Sequence, residues 1–218
     1  MSSGTRMLTL GAVLIASLTA HSGTSEPLLN WRAQQAPTGQ EAKPQASEIR
    51  SLFEEDQRDR ENMLRVTPEE LGAINRRDAQ RRQRTRELLA ADALNTGEEY
   101  RFAAFIFQHG DTPDDILMAH VLAVVALARG DERSRGIAAA TLDRYLHRIQ
   151  QPQVFGTQYT TGQMATPEAR TWTQEPFNRE LLPPTLRRGM CVPDARQQEE
   201  MLDALNKGTP VQPPRVCP

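Results

Sequence analysis

The short motifs of several common enzyme classes are missing from this 218-residue sequence. It has no Gly-x-Ser-x-Gly, the turn that presents the nucleophile in many serine hydrolases. It also has no glycine-rich phosphate loop and no dinucleotide-binding fingerprint. These absences argue against the usual serine hydrolases, nucleotide-binding enzymes and redox-cofactor enzymes, and we expect no cofactor.

Lysine and hydrophobic residues are both scarce. Lysine occurs only at Lys43 and Lys207, so nearly all the basic charge is arginine, and the net charge is -2. A balance so close to neutrality predicts no nucleic-acid partner. Only 38% of the residues are hydrophobic. A polar tail or linker must therefore accompany a smaller packed region.

Long apolar runs are absent except at the N-terminus. Arg6 is followed by an uncharged run from Met7 to Ala20, and small side chains flank the end of that run. This order is typical of an export signal, and the run is shorter than the about 20 apolar residues of a membrane span. We predict a signal peptide over residues 1–22, cut after Ser22 or alternatively after Ala20, and no span in the mature chain. The protein is then periplasmic or secreted, from a Gram-negative-type bacterium.

The chain has only two cysteines, Cys191 and Cys217. An even number of cysteines in an exported protein favours a disulfide. Because the sequence has no Cys-x-x-Cys, a free catalytic thiol is the weaker alternative. A bond would close a loop of about 27 residues and stabilise the fold by about 3.5 kcal/mol in the chain-entropy description.

The organisation of the chain follows from its composition and periodicity. Residues 23–46 have proline, glycine and polar residues without an apolar period, which is typical of a disordered linker. A helical pattern then runs from Ser47, and three helices start with capping sequences at Thr67, Thr96 and Thr112. The run from Ile116 to Ala128 is apolar on all sides except at His120, which predicts a helix buried in the middle of the domain.

Strand propensity is found only after Pro152. The segments Gln153–Tyr159 and Arg170–Gln174 both favour strands. The predicted fold class is mainly α, with about five to six antiparallel-packed helices, a small β-hairpin and an irregular C-terminal region. The helical domain spans residues 47–208, with the hairpin near residues 153–175 and an extended tail at residues 209–218.

Histidine and aspartate meet at one predicted turn, His109-Gly110-Asp111. A histidine at a helix end is stabilised by the helix dipole, and this structural explanation needs no function. The functional alternative is a His–carboxylate pair ready for proton transfer. A metal held by His109, Asp111 and His120 lacks a supporting spacing, so no metal is predicted.

A second group of polar residues lies on the helix before the hairpin. Asp143 and His147 are four apart and can form a weak pair on a solvated face. Alternatively, Asp143 and Arg144 hold the following segment, Gln153–Tyr159. Candidate ligand-binding residues here are Arg144, Gln153, Gly156, Thr157 and Gln158, because glycine permits close backbone approach and the polar side chains both donate and accept. The same residues also suit an ordinary strand with a bulge.

Six arginines crowd the second predicted helix. They spread around most of the helix rather than forming one stripe, which indicates a solvent-exposed helix. The alternative is contact with an anionic surface, such as a membrane headgroup or a cell-wall polymer. The six are Arg76, Arg77, Arg81, Arg82, Arg84 and Arg86.

The stretch from Phe105 to Tyr159 resembles a bacterial family known only as a domain of unknown function. In that family an Asp-Arg pair on a helix precedes a Pro-Gln-x-aromatic-Gly-Thr-Gln segment. The matching segments here are Gln108–Asp111, Leu142–Arg144 and Pro152–Gln158. The chain departs from the family at Phe155, where tyrosine is common, and at Gln151, where a small residue is common. The resemblance implies no activity, but it implies that His109, Asp143, Arg144 and the Gly-Thr-Gln segment lie together.

We expect an exported ligand-binding or protein-interaction domain of the cell envelope, whose partner is an unidentified envelope protein or polymer. Its polar pocket would include His109, Asp111, Asp143, Arg144 and Gln158. The alternative is an envelope hydrolase in which His109 is the general base and Asp111 or Asp143 orients it. A third possibility is a structural envelope protein whose polar groups are all satisfied by internal hydrogen bonds.

Overall fold

The computed structural model of the chain describes residues 44–61, 66–161, 171–210 and 217. The predicted signal peptide and most of the predicted linker lie outside these ranges. Residues 211–216 and 218 of the predicted extended tail lie outside them as well.

Seven α-helices form within the described ranges, and the prediction of a mainly helical fold with a small hairpin is confirmed. The first begins at Pro44, three residues before the expected start. The prediction of five to six helices was too low, because α6 lies in a proline-rich stretch expected to be irregular. Proline is tolerated in the first turn of a helix, because the N–H groups there have no partner within the helix. The helices are α1 (Pro44–Arg60), α2 (Pro68–Ala90), α3 (Gly97–Phe107), α4 (Pro113–Ala128), α5 (Arg135–Arg148), α6 (Pro184–Gly189) and α7 (Ala195–Lys207).

Local capping starts the helices where the sequence predicts. At α2, the Thr67 side chain accepts from the Glu70 backbone N–H, and the Glu70 carboxylate accepts from the Thr67 N–H at 2.8 Å. The same reciprocal pair begins α3 at Thr96 and α4 at Thr112. Asp194 caps α7 in this way too. Each cap satisfies N–H groups that have no partner inside the helix.

The hydrophobic core lies between α3, α4 and their neighbours. α4 packs against α3 on one side and α5 on the other, and α1 covers α3. Phe107, Ile106 and Leu122 are almost completely buried at these contacts. The Phe53 ring of α1 stacks on Phe102 of α3 with ring centroids 4.5 Å apart.

The prediction that α4 is buried on all sides is wrong. Its inner residues are buried, but Met118, Val121 and Val124 are 40%, 48% and 46% exposed. An all-apolar sequence has no amphipathic contrast, so it cannot indicate which face meets the core. Only the packing against α3 and α5 decides this.

The hairpin is smaller than predicted: its first strand starts later, and its second strand lies within the predicted segment Arg170–Gln174. Strand β1 is Thr160–Thr161 and strand β2 is Trp172–Thr173, paired antiparallel with Thr160 opposite Thr173. The segment Gln153–Tyr159, predicted as a strand, is a loop with a single parallel bridge from Gln153 to Phe177. Three of its backbone N–H groups, those of Val154, Phe155 and Thr157, bond to a side chain of α5 rather than to a neighbouring strand.

Cys191 and Cys217 are joined in a disulfide, with their Cα atoms 5.3 Å apart. The predicted cysteine pairing is therefore confirmed, and it ties the end of the chain to the segment after α6. Among the described helices, none combines the length and apolar character needed to cross a bilayer.

Candidate functional site

The Asp143 carboxylate, on α5, binds the loop that follows this helix. It is completely buried and accepts four hydrogen bonds from the loop. Oδ1 accepts from the backbone N–H groups of Val154 at 2.8 Å and Phe155 at 3.0 Å. Oδ2 accepts from the backbone N–H of Thr157 at 2.9 Å and from its hydroxyl at 2.8 Å. A carboxylate offers about four acceptor positions, so no capacity remains for a ligand.

We call residues 153–158 the Asp143 loop. Gly156 allows the loop to turn back, because its φ of +75° lies in the left-handed region. A Cβ at this position would lie 2.6 Å from the Phe177 ring and 2.7 Å from Oε1 of Gln198. The close approach expected of Gly156 is therefore toward the protein's own side chains.

Buried glutamines fill the space behind the Asp143 loop. The Gln153 side chain donates to the Gln158 carbonyl at 3.0 Å and accepts from the Gln158 N–H at 3.0 Å. Gln174 donates to the Gly156 carbonyl at 2.6 Å, and Gln198 donates to the Phe155 carbonyl at 2.7 Å. The predicted ligand-binding residues Gln153 and Gly156 are therefore used in contacts within the protein, as Thr157 is through its two bonds to Asp143.

Arg187 of α6 completes this cluster by donating to the Phe155 carbonyl at 2.7 Å. The sequence prediction missed Arg187, Gln174 and Gln198. Glutamine and arginine are usually exposed, and no local pattern marks these three as buried. Their positions depend on how α6, β2 and α7 pack against the loop.

Arg144 is a predicted site residue whose hydrogen-bond acceptors are uncharged. Its Nε donates to Oε1 of Gln158 at 3.1 Å, and its Nη1 donates to the Gln108 carbonyl at 2.9 Å. Within the described ranges no carboxylate pairs with it. Burial lowers the pKa of Arg144, and the nearby charge of Arg148 lowers it further. Arg148 is exposed and donates to the Asp111 carbonyl at 3.3 Å.

His109 forms a close pair with an aspartate that the sequence prediction missed. Its Nδ1 lies 2.9 Å from Oδ1 of Asp56, a fully buried residue of α1. The opposite ring nitrogen, Nε2, accepts a hydrogen bond from Nε of Arg60 at 3.4 Å. With Nδ1 donating to the carboxylate, the free lone pair of the ring faces a guanidinium rather than a substrate.

Neither Asp111 nor Asp143 orients His109, as the hydrolase hypothesis requires. The Asp111 carboxylate is 78% exposed and pairs with Nη2 of Arg82 at 2.7 Å. Asp143 is enclosed by its own loop. The structure therefore brings Asp143 together with the Gly-Thr-Gln segment, and Arg144 with Gln158, while the His109 ring belongs to a different cluster.

Two arginines of α2 are buried. The prediction that all six arginines of this helix are exposed to solvent is therefore wrong for these two. Arg81 and Arg82 are 3% and 5% exposed. Arg81 donates to Asp59 at 2.8 Å and to Asp78 at 2.5 Å. Burial tends to lower the pKa of Arg81, but the hydrogen bonds to Asp78 and Asp59 raise it overall. A helical wheel cannot show this, because Asp59 comes from another helix.

The two remaining histidines of α4 and α5 are half-buried. His120 donates from Nδ1 to the Ala138 carbonyl at 3.0 Å, a satisfied interior contact. His147 does not meet Asp143, and its Nε2 is buried with no hydrogen-bond partner among the described residues. The same part of the chain contains no group of three or more side chains placed to ligate a metal ion.

An open depression of about 420 Å³ lies at the start of α3 and the connection from α4 to α5. Its polar lining includes Glu98, Asp131 and Arg133, which are bound to one another through ion pairs. None of the predicted site residues lines this depression.

Comparison with known proteins finds no match among family models, curated sequences or solved structures. The resemblance of residues 105–159 to a family of unknown function therefore stays a prediction.

Proposed function

We propose that the chain is an exported binding domain that takes a small oxyanion, a carboxylate or phosphate group, at Arg144 and Arg148. The observation behind this proposal is that Arg144 and Arg148 lie one helical turn apart and close enough to interact electrostatically. Among the described residues, their hydrogen-bond acceptors are only carbonyl and amide oxygens. Arginine is the side chain best suited to bind carboxylate and phosphate, because its planar fork donates two parallel hydrogen bonds.

The charge around these two arginines supports an anionic ligand. The Gln108 carbonyl belongs to the C-terminus of α3, where the helix dipole supplies only about half a negative charge. The Asp111 carboxylate is already paired with Arg82. The two positive charges are thus not matched by a free carboxylate. The cost falls on Arg144, because it is partly buried and its hydrogen-bond partners are uncharged, whereas the exposed Arg148 is solvated. An oxyanion would supply the missing charge.

Export is supported by two independent features of the chain. The uncharged run from Met7 to Ala20 follows a short basic start. The bond between Cys191 and Cys217 is of a kind that persists in oxidising compartments and is rare in the cytoplasm.

Binding is favoured over hydrolysis by the state of the candidate catalytic groups. A general base needs a free lone pair within reach of the proton that it takes. The Nε2 atom of His109 is directed at Arg60, and Asp143 uses all its acceptor positions internally. Arg144 and Arg148 need no proton transfer to bind an anion.

The binding proposal is tested by titration calorimetry with inorganic phosphate and with acetate at low ionic strength. We expect saturable binding of at least one of them, weakened about 10- to 100-fold by Arg148→Gln, as the loss of a charge-assisted hydrogen bond implies. Arg188→Gln is the matched control, since Arg188 is exposed on α6 and its loss changes the net charge equally. Equal binding by the two variants, or no saturable binding to wild type, would overturn the proposal.

Export is tested separately by mass spectrometry of protein recovered from a Gram-negative host. We expect a chain without residues 1–22 and no reaction of Cys191 or Cys217 with a thiol reagent before reduction. An intact N-terminal methionine with two reactive thiols would contradict export without bearing on the anion site.

A further inference from the structure

One face of α4 presents a row of apolar side chains to solvent. Met118, Val121 and Val124 follow one another at three-residue spacings and are all at least 40% exposed. Val125 and Ala128 continue the row for another turn. We call this the α4 stripe. Because a helix rises about 1.5 Å per residue, the stripe is about 15 Å long.

Single exposed apolar residues are ordinary on a protein surface, but a contiguous row of them marks an interaction site. The opposite face of α4 is already buried against α3 and α5. The stripe therefore cannot contribute to the core of this domain, and burying it requires another surface.

The two ends of the stripe carry opposite charges. Asp114 lies exposed in the first turn of α4, and no partner for its carboxylate is found within the described ranges. Arg129 lies exposed at the C-terminal cap. Its Nη1 donates to the Asn95 carbonyl at 2.7 Å and the guanidinium lies 4.7 Å from the Tyr100 ring centroid, which leaves Nη2 available.

The α4 stripe with its two charged ends can pair with a second, identical stripe. Val121 lies near the midpoint between Asp114 and Arg129. A two-fold axis beside Val121 would place two α4 helices antiparallel, with Met118 of each copy near Val124 of the other. Each Asp114 would then lie beside the other copy's Arg129. A parallel pairing would instead bring like charges together.

We infer that the α4 stripe is covered by a second copy of this chain, with α4 packed antiparallel on α4. Two-fold self-association is the commonest form of protein oligomer, and it requires the self-complementary pattern that this stripe carries. The apolar centre supplies the contact, and the charged ends select the antiparallel direction.

The first experiment is sedimentation velocity on the chain without residues 1–22, over about 1 to 200 µM, the range in which affinities near 10⁻⁶ M are resolved. We expect a dimer whose dissociation constant rises at least about 100-fold in Val121→Asp, because two carboxylates would then face each other at the axis. Leu186→Asp is the control: Leu186 is 54% exposed on α6, outside the stripe. This variant should dimerise as wild type does.

Charge reversal tests the antiparallel geometry. Asp114→Arg alone should weaken the dimer about tenfold, since it places like charges at both ends. Combining it with Arg129→Asp should restore the affinity to within about threefold of wild type. Circular dichroism of each variant checks that the fold is kept.

A monomer at every concentration would overturn the inference. If removal of residues 23–43, which include Leu28, Leu29 and Trp31, turned such a monomer into a dimer, the chain's own N-terminal segment would be the occupant. A dimer unaffected by Val121→Asp would use another surface and would equally contradict the inference. Phosphate binding at Arg148 is expected whatever the oligomeric state, so the two proposals fail separately.

Discussion

Asp143 and Thr157 are joined twice: Oδ2 of Asp143 accepts the Thr157 backbone N–H at 2.9 Å and the Thr157 hydroxyl at 2.8 Å. With the two bonds to Oδ1, one buried carboxylate organises the whole Asp143 loop. The loop in turn carries Gln158, which accepts from Arg144. If Arg144 binds the proposed anion, Asp143 would position the loop that carries Gln158 and would not itself contact the ligand.

Asp143→Asn should strongly destabilise the domain. An amide nitrogen would face donors that need an acceptor, and a charge-assisted hydrogen bond contributes about 1.5–3 kcal/mol. We expect a loss of about 3 kcal/mol in the free energy of unfolding, measured by urea denaturation. Asp203→Asn, which affects only an exposed pair with Lys207, should change it by less than about 0.5 kcal/mol. Similar values for the two variants would show that the loop does not depend on Asp143.

Substitution of two glycines by alanine should have opposite signs. Gly156→Ala forces a Cβ against Phe177 and Gln198 at a positive φ, so we expect a loss of about 2 kcal/mol or more. Gly136→Ala lies in α5 with no atom within 4 Å, so it should stabilise by about 0.5–1 kcal/mol through lower backbone entropy of the unfolded chain. Thermal unfolding monitored by circular dichroism compares the two, and a harmless Gly156→Ala would contradict the described loop.

Breaking the disulfide should lower stability by about 3.5 kcal/mol, because the unfolded chain regains the freedom of a closed loop of about 27 residues. The measurement is the urea midpoint with and without reductant. Cys191→Ser/Cys217→Ser should unfold like the reduced protein and should not respond to reductant. Equal midpoints for oxidised and reduced wild type would show that the bond contributes nothing.

Stability should fall at acid pH. The Arg77 hydrogen bond, aided by Arg81, holds the pKa of Asp59 below its ordinary value against the opposing effect of burial. A carboxyl group with a lowered folded pKa contributes stability above its unfolded pKa of about 4, and this is lost as pH falls through the folded pKa. Urea midpoints measured from pH 7 to pH 2 should therefore decline below about pH 4.

The matched variant for this pH dependence is Asp59→Asn. It should be less stable than wild type at pH 7, because it loses the ion pairs with Arg77 and Arg81. It should also lose less stability between pH 4 and pH 2, since one of the responsible groups no longer titrates. Parallel curves for the two proteins would remove Asp59 as a contributor.

The sequence predicted the helix starts well and the candidate site only in part. Thr67, Thr96 and Thr112 were identified because each cap is formed within three residues of the chain. The possibility that Asp143 and Arg144 hold the following segment was also visible, and the structure realises it. The expected strand at residues 153–159 was wrong, because glycine, threonine and glutamine suit a loop around a carboxylate as well as they suit a bulged strand.

The site residues that were missed come from distant parts of the chain. Asp56 reaches His109 across 53 residues, and Gln198 reaches Phe155 across 43. No local spacing relates such residues. The burial of Arg81 likewise required Asp59 from α1, since a lone arginine has no reason to leave water.

The amino-acid order by itself determined the capping boxes, the run of helices and the pairing of the two cysteines, because each follows from contacts between near neighbours or from the count of one residue type. The tertiary structure alone decided which face of α4 remains in solvent, which carboxylate pairs with His109 and what Asp143 binds. These outcomes depend on how the helices pack, and the packing is determined by the burial and hydrogen bonding of many groups together.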